Sequence, residues 1–241
     1  MGRLEVARDL HLVPGLGTAN ACLLVRPRVV LFDSGLPGDG PHVLQYLREV
    51  GLSPEDLELI ALTHGDAGHA GAAPWLRRNS GARIAASAET ALRLSQPSPP
   101  GMLQFGWRLA LGAIGRRSEA FAVDEVLEPG REVAGFQIIA TPGHAEGHLA
   151  FFRPADGVLI AGDAVRVSGS DLLAPAFWDA DSELQARVSV CQLADLPVHL
   201  LVAGHGPPYR EPGAALRRVG GPPGLLEERL RRRRAARRRW F

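Results

Sequence analysis

Short apolar runs, each closed by glycine, proline or a small polar residue, recur along this chain. Leu59-Ile60-Ala61-Leu62 is one, bounded by Glu58 and Thr63. Its length and polar flanks fit a buried strand of an α/β unit. The same reading makes strands of Leu4–Val13, Ala21–Val25, Val29–Phe32, Ala82–Ala86, Phe136–Ala140, Leu149–Phe152, Gly157–Ala161 and Leu200–Ala203. Helical periodicity appears between them. Val43, Leu44, Leu47 and Val50 share one face of a helix over Pro41–Val50, with His42 on the solvent side. Ser53-Pro54-Glu55-Asp56 reads as a helix start, with Ser53 as N-cap and Pro54 at the first position. Further helices are expected from about His69 through Leu76 and on to Arg78, over Ser87–Leu94 and over Asp181–Leu196.

The chemistry sits where the strands stop. After Leu59–Leu62 comes Thr63-His64-Gly65-Asp66-Ala67-Gly68-His69; after Phe136–Ala140, Thr141-Pro142-Gly143-His144, with His148 four residues on. Asp163 follows Val158–Ala161, and His205 follows Leu200–Ala203. Open α/β architectures place their sites at such strand ends. The spacing of His64, Asp66 and His69 keeps them off a single helix face, so they converge from a turn and other ligands come from elsewhere. Imidazole and carboxylate are the donors expected for zinc, iron or manganese. One such ending is easily coincidence; four are not.

These motifs, with Asn20 in TANACLLV and the Asp33-Ser34-Gly35 turn, resemble in kind and order those of the metallo-beta-lactamase-fold hydrolases, over roughly residues 4–210. The resemblance implies an α/β (α+β) fold, a four-layer αββα sandwich, with one or two metals in a groove between the sheet edges and a metal-bound hydroxide as nucleophile. It implies His64, Asp66 and His144 as ligands of the first metal, Asp163 as the bridge, and His69 and His205 with Asp163 at the second. Asp33 would lie beneath the metals as support, and His148 would support structure rather than ligate. Two positions depart from the family pattern, which usually has histidine where Asp66 stands and aspartate where Gly68 stands. The number of ligand carboxylates is unchanged, but the second site loses its own.

Composition adds limits. The 241 residues are 46% apolar, ample for a core, and the formal net charge is +1. That average hides an asymmetry: eight arginines fall between Arg229 and Arg239, while elsewhere nineteen arginines face twenty-six acids, about −7. A domain over 1–224 and an arginine-rich tail over 225–241 are expected. A terminal charge run without aromatics along a groove is a weak nucleic-acid signal, so no nucleic-acid partner is expected. Cys22 and Cys191 are isolated and read as small buried hydrophobes. The start lacks the charged-then-apolar pattern of a signal peptide, and no run of 18 apolar residues occurs, so a cytoplasmic protein off the membrane is expected.

The apolar segment Met102–Ile114, with Phe105 and Trp107, reads either as a helix packed on the body or across a homodimer interface, or as a wall over the groove. As a wall it favours an acyl, aryl or lactone small molecule as substrate. Arg166, Ser168 and Ser170, in the stretch running on to Phe177-Trp178-Asp179, are candidate substrate contacts or ordinary loop residues. Residues 206–241 are too few for the C-terminal helical domain of glutathione thiolesterases, which argues against that subclass. The resulting expectation is metal-dependent hydrolysis of an ester, lactone or thioester, with Asp66, Asp163 and His205 in the catalytic machinery and zinc as the first choice of metal. A degenerate member, for which Gly68 argues, and a mononuclear iron relative acting on thiols stand as alternatives.

Overall fold

The computed structural model describes residues 4–96, 119–174 and 180–221. The apolar segment Met102–Ile114, the loop end Phe177–Asp179 and the arginine-rich tail lie outside the described residues. The chain divides into two compact units, Met1–Leu127 and Glu128–Phe241, each with a sheet of its own.

In the first unit β1 (Glu5–Ala7), β2 (Leu10–Leu12), β3 (Cys22–Leu24), β4 (Val30–Phe32), β5 (Leu59–Ala61), β6 (Arg83–Ala86) and β7 (Glu125–Val126) line up in chain order. The first three pairings are antiparallel and the last three parallel. A single strand over Leu4–Val13 is what the apolar pattern suggests, but a turn divides it. Asp9 takes a left-handed conformation, φ 56°, and its N–H donates to the Glu5 carboxylate at 3.0 Å. The chain therefore doubles back and pairs Ala7 with Leu10.

Parallel strands need crossovers, and the helices supply them. Between β4 and β5 lies α1 (Gly40–Glu49), burying Val43, Leu44, Tyr46 and Leu47, while His42 is exposed as its place in the period requires. Pro54–Asp56 forms one 3-10 turn with Ser53 as its N-cap. There the Ser53 N–H and hydroxyl donate to the Asp56 carboxylate at 2.7 and 2.9 Å and hold its pKa below the usual range. Between β5 and β6 the expected single helix is two, α2 (Ala67–Ala70) and α3 (Ala73–Ser80). Pro74, in the first turn of α3, has no N–H to donate to Ala70, so the ladder of α2 cannot run through it. The helix α4 (Ala88–Leu94) starts at Ser87, whose hydroxyl accepts the Thr90 N–H at 3.1 Å.

In the second unit β8 (Glu132–Val133), β9 (Phe136–Ala140), β10 (Leu149–Arg153), β11 (Val158–Gly162), β14 (Leu200–Ala203) and β15 (Tyr209–Arg210) form a six-stranded sheet ordered β15-β14-β11-β10-β9-β8. β10 and β11 make the expected hairpin, with Phe151 opposite Ile160. A separate hairpin joins β12 (Arg166–Ser168) to β13 (Asp171–Leu173). Helices α5 (Ala180–Ala194) and α6 (Gly213–Gly220) complete the unit. Phe152, Leu159, Leu201, Val190, Leu193 and Leu216 meet in its core.

Both cysteines are free. Cys22 is buried in β3, where desolvation, with Asp33 adding to it, pushes the thiol pKa far up. Cys191 is partly buried, and its thiol donates to the Gly221 carbonyl at 3.3 Å. Among the described residues no helix is long and apolar enough to cross a membrane.

Candidate metal centre

Each unit gathers its donors at one end of its sheet. In the first, β4 and β5 run parallel with Phe32 beside Ala61, so Asp33 and Thr63-His64 leave the same edge. Asp33 turns off β4 with φ 60°, and its carboxylate is buried with 2% exposure. It accepts the Thr63 N–H at 2.8 Å, the Thr63 hydroxyl at 2.9 and 3.0 Å, and the His69 Nδ1–H at 2.8 Å.

Proton counting then fixes both imidazoles. An ionised carboxylate only accepts, so the single hydroxyl proton of Thr63 goes to Asp33. Thr63 Oγ1 can therefore only accept from His64 Nδ1, 2.9 Å away. His64 and His69 are both protonated at Nδ1, which leaves the lone pair of each on Nε2, the arrangement a metal-binding histidine needs. Their rings lie with centroids 4.1 Å apart. Burial first, and then the neighbouring His69, lower the pKa of His64 against the opposing pull of Asp66, which keeps the ring neutral.

Asp66 stands at the start of α2 in an extended conformation. Its Oδ2 lies 3.6 Å from His64 Nε2, while its Oδ1 accepts from Arg93 Nη2 at 2.7 Å. The turn is tied by the His69 and Ala70 N–H groups, which both donate to the Asp66 carbonyl at 2.9 Å. At Gly68 an added Cβ would meet Thr18 Oγ1 at 3.2 Å and Ala19 Cβ at 3.9 Å.

The second unit repeats the device. β9 and β11 are both antiparallel to β10, and β11 is parallel to β14, so the loops carrying His144, Asp163 and His205 leave one end of the sheet. Asp163 Oδ2 lies 3.5 Å from His144 Nε2 and 3.4 Å from His205 Nε2, one carboxylate oxygen against two imidazoles. His148 is fully buried. Its Nε2 accepts the Asp163 N–H at 3.0 Å, so Nδ1 carries the proton and donates to Thr141 Oγ1 at 2.7 Å. Both ring nitrogens are engaged within the unit, so His148 fixes the Asp163 backbone rather than offering a ligand atom.

Two glycines hold these loops in place. Gly143 has φ 137°, and a Cβ there would run into the Ala186 backbone of α5; Ser189 of α5 adds a hydrogen bond to the Pro142 carbonyl at 2.8 Å. Gly206 has φ 92°, and a Cβ would strike the Val167 carbonyl of β12, whose N–H donates to the His205 carbonyl at 3.0 Å. Arg166, Ser168 and Ser170 are exposed on the β12–β13 hairpin.

Three participants were not singled out as site residues from the sequence: Thr63, Thr141 and Arg93. The two threonines adjoin the strand ends and are legible afterwards in the THGD and TPGH strings. Arg93 lies 27 positions beyond Asp66 and carries no local signal.

Imidazole and carboxylate donors stand together at the strand ends of an α/β protein, as a metal site of that class requires. The description of the metallo-beta-lactamase superfamily matches residues 15–205, and the chain belongs to that superfamily, whose fold implies binding of divalent metal. It is 28% identical over 231 residues to uncharacterized protein YobT of Bacillus subtilis (strain 168), covering 88% of this chain and 93% of that protein. It is 25% identical over 209 residues to the hydroxyacylglutathione hydrolase GloC of Haemophilus influenzae, covering 82% and 91%. Among solved structures it resembles a metallo-beta-lactamase family protein of Thermus thermophilus, with a TM-score of 0.71, 25% identity and coverage of 94% of this chain and 82% of that one. The mixed α/β architecture agrees with this neighbour.

Proposed function

We propose that the protein is a metal-dependent hydrolase of an ester, lactone or thioester. The observation that carries the reading is the pair of buried imidazoles, His64 and His69, whose Nδ1–H groups are accepted by Thr63 and Asp33 respectively so that both present Nε2. The donor set fits zinc first, with iron or manganese as alternatives. His64, Asp66 and His144 would hold the better-bound ion, and Asp163, His69 and His205 would serve a second. A metal held there supplies Lewis acidity and a lowered pKa for water. Asp66 and Asp163 bring negative charge that keeps the cation in place. Where no second ion is held, His205, with a side chain 44% exposed and Nε2 beside Asp163 Oδ2, is the group placed to carry a proton at Nε2 between the site and solvent.

The relatives bear on substrate class. Hydroxyacylglutathione is a thioester, and the 209 residues shared with GloC are 91% of that protein. A hydrolase so named thus aligns over 91% of its own length with 82% of this chain, so the short stretch after His205 does not count against a thioester substrate. Thioesters belong in the first round of assays.

Metal analysis of protein purified without chelator, paired with a screen of p-nitrophenyl esters, lactones and thioesters, tests the reading. About one ion per chain is expected, together with hydrolysis of at least one class that a chelator abolishes and zinc restores. Metal-free, inert protein would instead establish the degenerate member, and oxygen uptake with thiols the iron relative.

Gly68 favours a single well-held ion, and the local geometry makes this testable. The Cβ of Gly68→Asp would lie 3.2 Å from Thr18 Oγ1, so the variant requires the Thr18 side chain to give way slightly. The variant is expected to raise the second metal equivalent in a titration and to speed hydrolysis. Unchanged or reduced second-site occupancy would mean that Asp66 already serves that site and that the added carboxylate repels it.

A further inference from the structure

We propose that Arg93 is a positioning residue of the metal centre, dividing the Asp66 carboxylate so that Oδ1 is committed to the guanidinium and Oδ2 is presented beside His64 Nε2. The inference rests on the metal-dependent reading above and deepens it.

A carboxylate on a short side chain at a helix start ordinarily turns back to accept backbone N–H groups. Asp66 occupies that position on α2 but accepts no such cap bond. Its Oδ1 is held by Arg93 Nη2 at 2.7 Å instead, and the other oxygen lies 3.6 Å from the ring nitrogen that Thr63 has left with its lone pair. The arginine arrives from a firmly seated helix. α4 is capped by Ser87, Thr90 and Leu94 are buried, and the Leu94 carbonyl accepts the Phe121 N–H at 2.9 Å. The stem of Arg93 passes over the turn between His64 and Asp66, since a Cβ on Gly65 would lie 3.5 Å from Arg93 Cδ. Helix and stem together bring the guanidinium to Oδ1 and leave Oδ2 on the side of His64.

An ordinary surface ion pair predicts something different. Both partners are nearly half exposed, and exposed pairs contribute about 0–1 kcal/mol to folding. A positioning role must therefore appear in metal binding rather than in the stability of the metal-free protein. Partners that orient a ligand typically change metal affinity by about 10–100-fold.

The test is a double-mutant cycle on the full chain, read by zinc affinity in competition with a chromogenic chelator and by the absorption spectrum of the cobalt-substituted protein. Arg93→Ala is expected to weaken zinc binding by about tenfold or more and to alter the cobalt bands, with the metal-free melting temperature nearly unchanged. Arg93→Lys, keeping the charge without the fork, should recover part of the loss. In an Asp66→Ala background Arg93→Ala should have no further effect. Wild-type affinity in Arg93→Ala, or an equal loss with and without Asp66, overturns the inference while the functional reading stands. Wild-type protein that binds no metal overturns the functional reading and the inference with it. Should Arg93→Ala fail to fold, Arg93→Gln and Arg93→Lys carry the same cycle.

Discussion

Replacing His64 by alanine is expected to abolish tight metal binding, whereas His205→Ala should still retain roughly one ion per chain. His64 is fully buried, its burial holds it neutral, and the Thr63 hydroxyl fixes its proton on Nδ1. His69 is held in the same way by Asp33, but it belongs to the second set and cannot stand in for His64. Alanine removes the ligand atom and offers nothing in its place. With the metal go several kcal/mol of charge stabilisation, and a loss of about 4 kcal/mol is about a thousandfold in rate. His205 differs because its side chain is 44% exposed and belongs to the weaker set. Metal content after dialysis, with hydrolysis rates on the best substrate of the screen, reads both variants. Two ions of equal affinity in the wild type, or a His64→Ala protein that keeps one tightly, would defeat the assignment.

The second large effect is expected from Asp33→Asn. Asparagine tolerates the left-handed backbone at position 33, so the substitution isolates the loss of the carboxylate. One amide oxygen cannot take the place of two carboxylate oxygens that together receive the Thr63 N–H, the Thr63 hydroxyl and the His69 ring. The amide NH2 would be set against donors. His69 is then free to move its proton to Nε2, and the Thr63 hydroxyl is free to turn toward His64. Metal affinity should fall by about 10–100-fold. Folding stability should fall by about 1–3 kcal/mol, the penalty for a buried donor left unsatisfied. Zinc competition and thermal melting measure the two separately. If the melt shifts while zinc affinity holds, Asp33 shapes the loop without setting the tautomers.

Much of the architecture was legible because it is local. Residues 59–61, 136–140 and 200–203 are strands where the apolar runs placed them, since a run of that length closed by polar residues has few other ways to bury itself. Misreadings occurred where one residue's backbone preference outweighed the run. Asp9 turned one strand into two, and Pro74 turned one helix into two. The resemblance to the family was likewise carried by the motifs and their order, because four strand-end motifs in one sequence are more specific than any single motif.

The sequence by itself determined which donors exist and that each stands at the end of a strand: His64, Asp66 and His69 in one unit, and His144, Asp163 and His205 in the other. It also exposed the exchange at Asp66 and Gly68, which is a matter of residue identity. Only the tertiary structure decided what each atom does. Parallel pairing of β4 with β5 sets Asp33 beneath Thr63 across 30 positions, and from that contact follow the proton positions of two histidines. His148, which the resemblance had already set apart from the ligands, is held by hydrogen bonds at both ring nitrogens. Arg93 emerged because α4 carries it to Asp66. The physical reason is one of range: strand and helix patterning is written within a few neighbouring residues, while a hydrogen bond is decided within tenths of an ångström by segments that meet only after the sheet has formed.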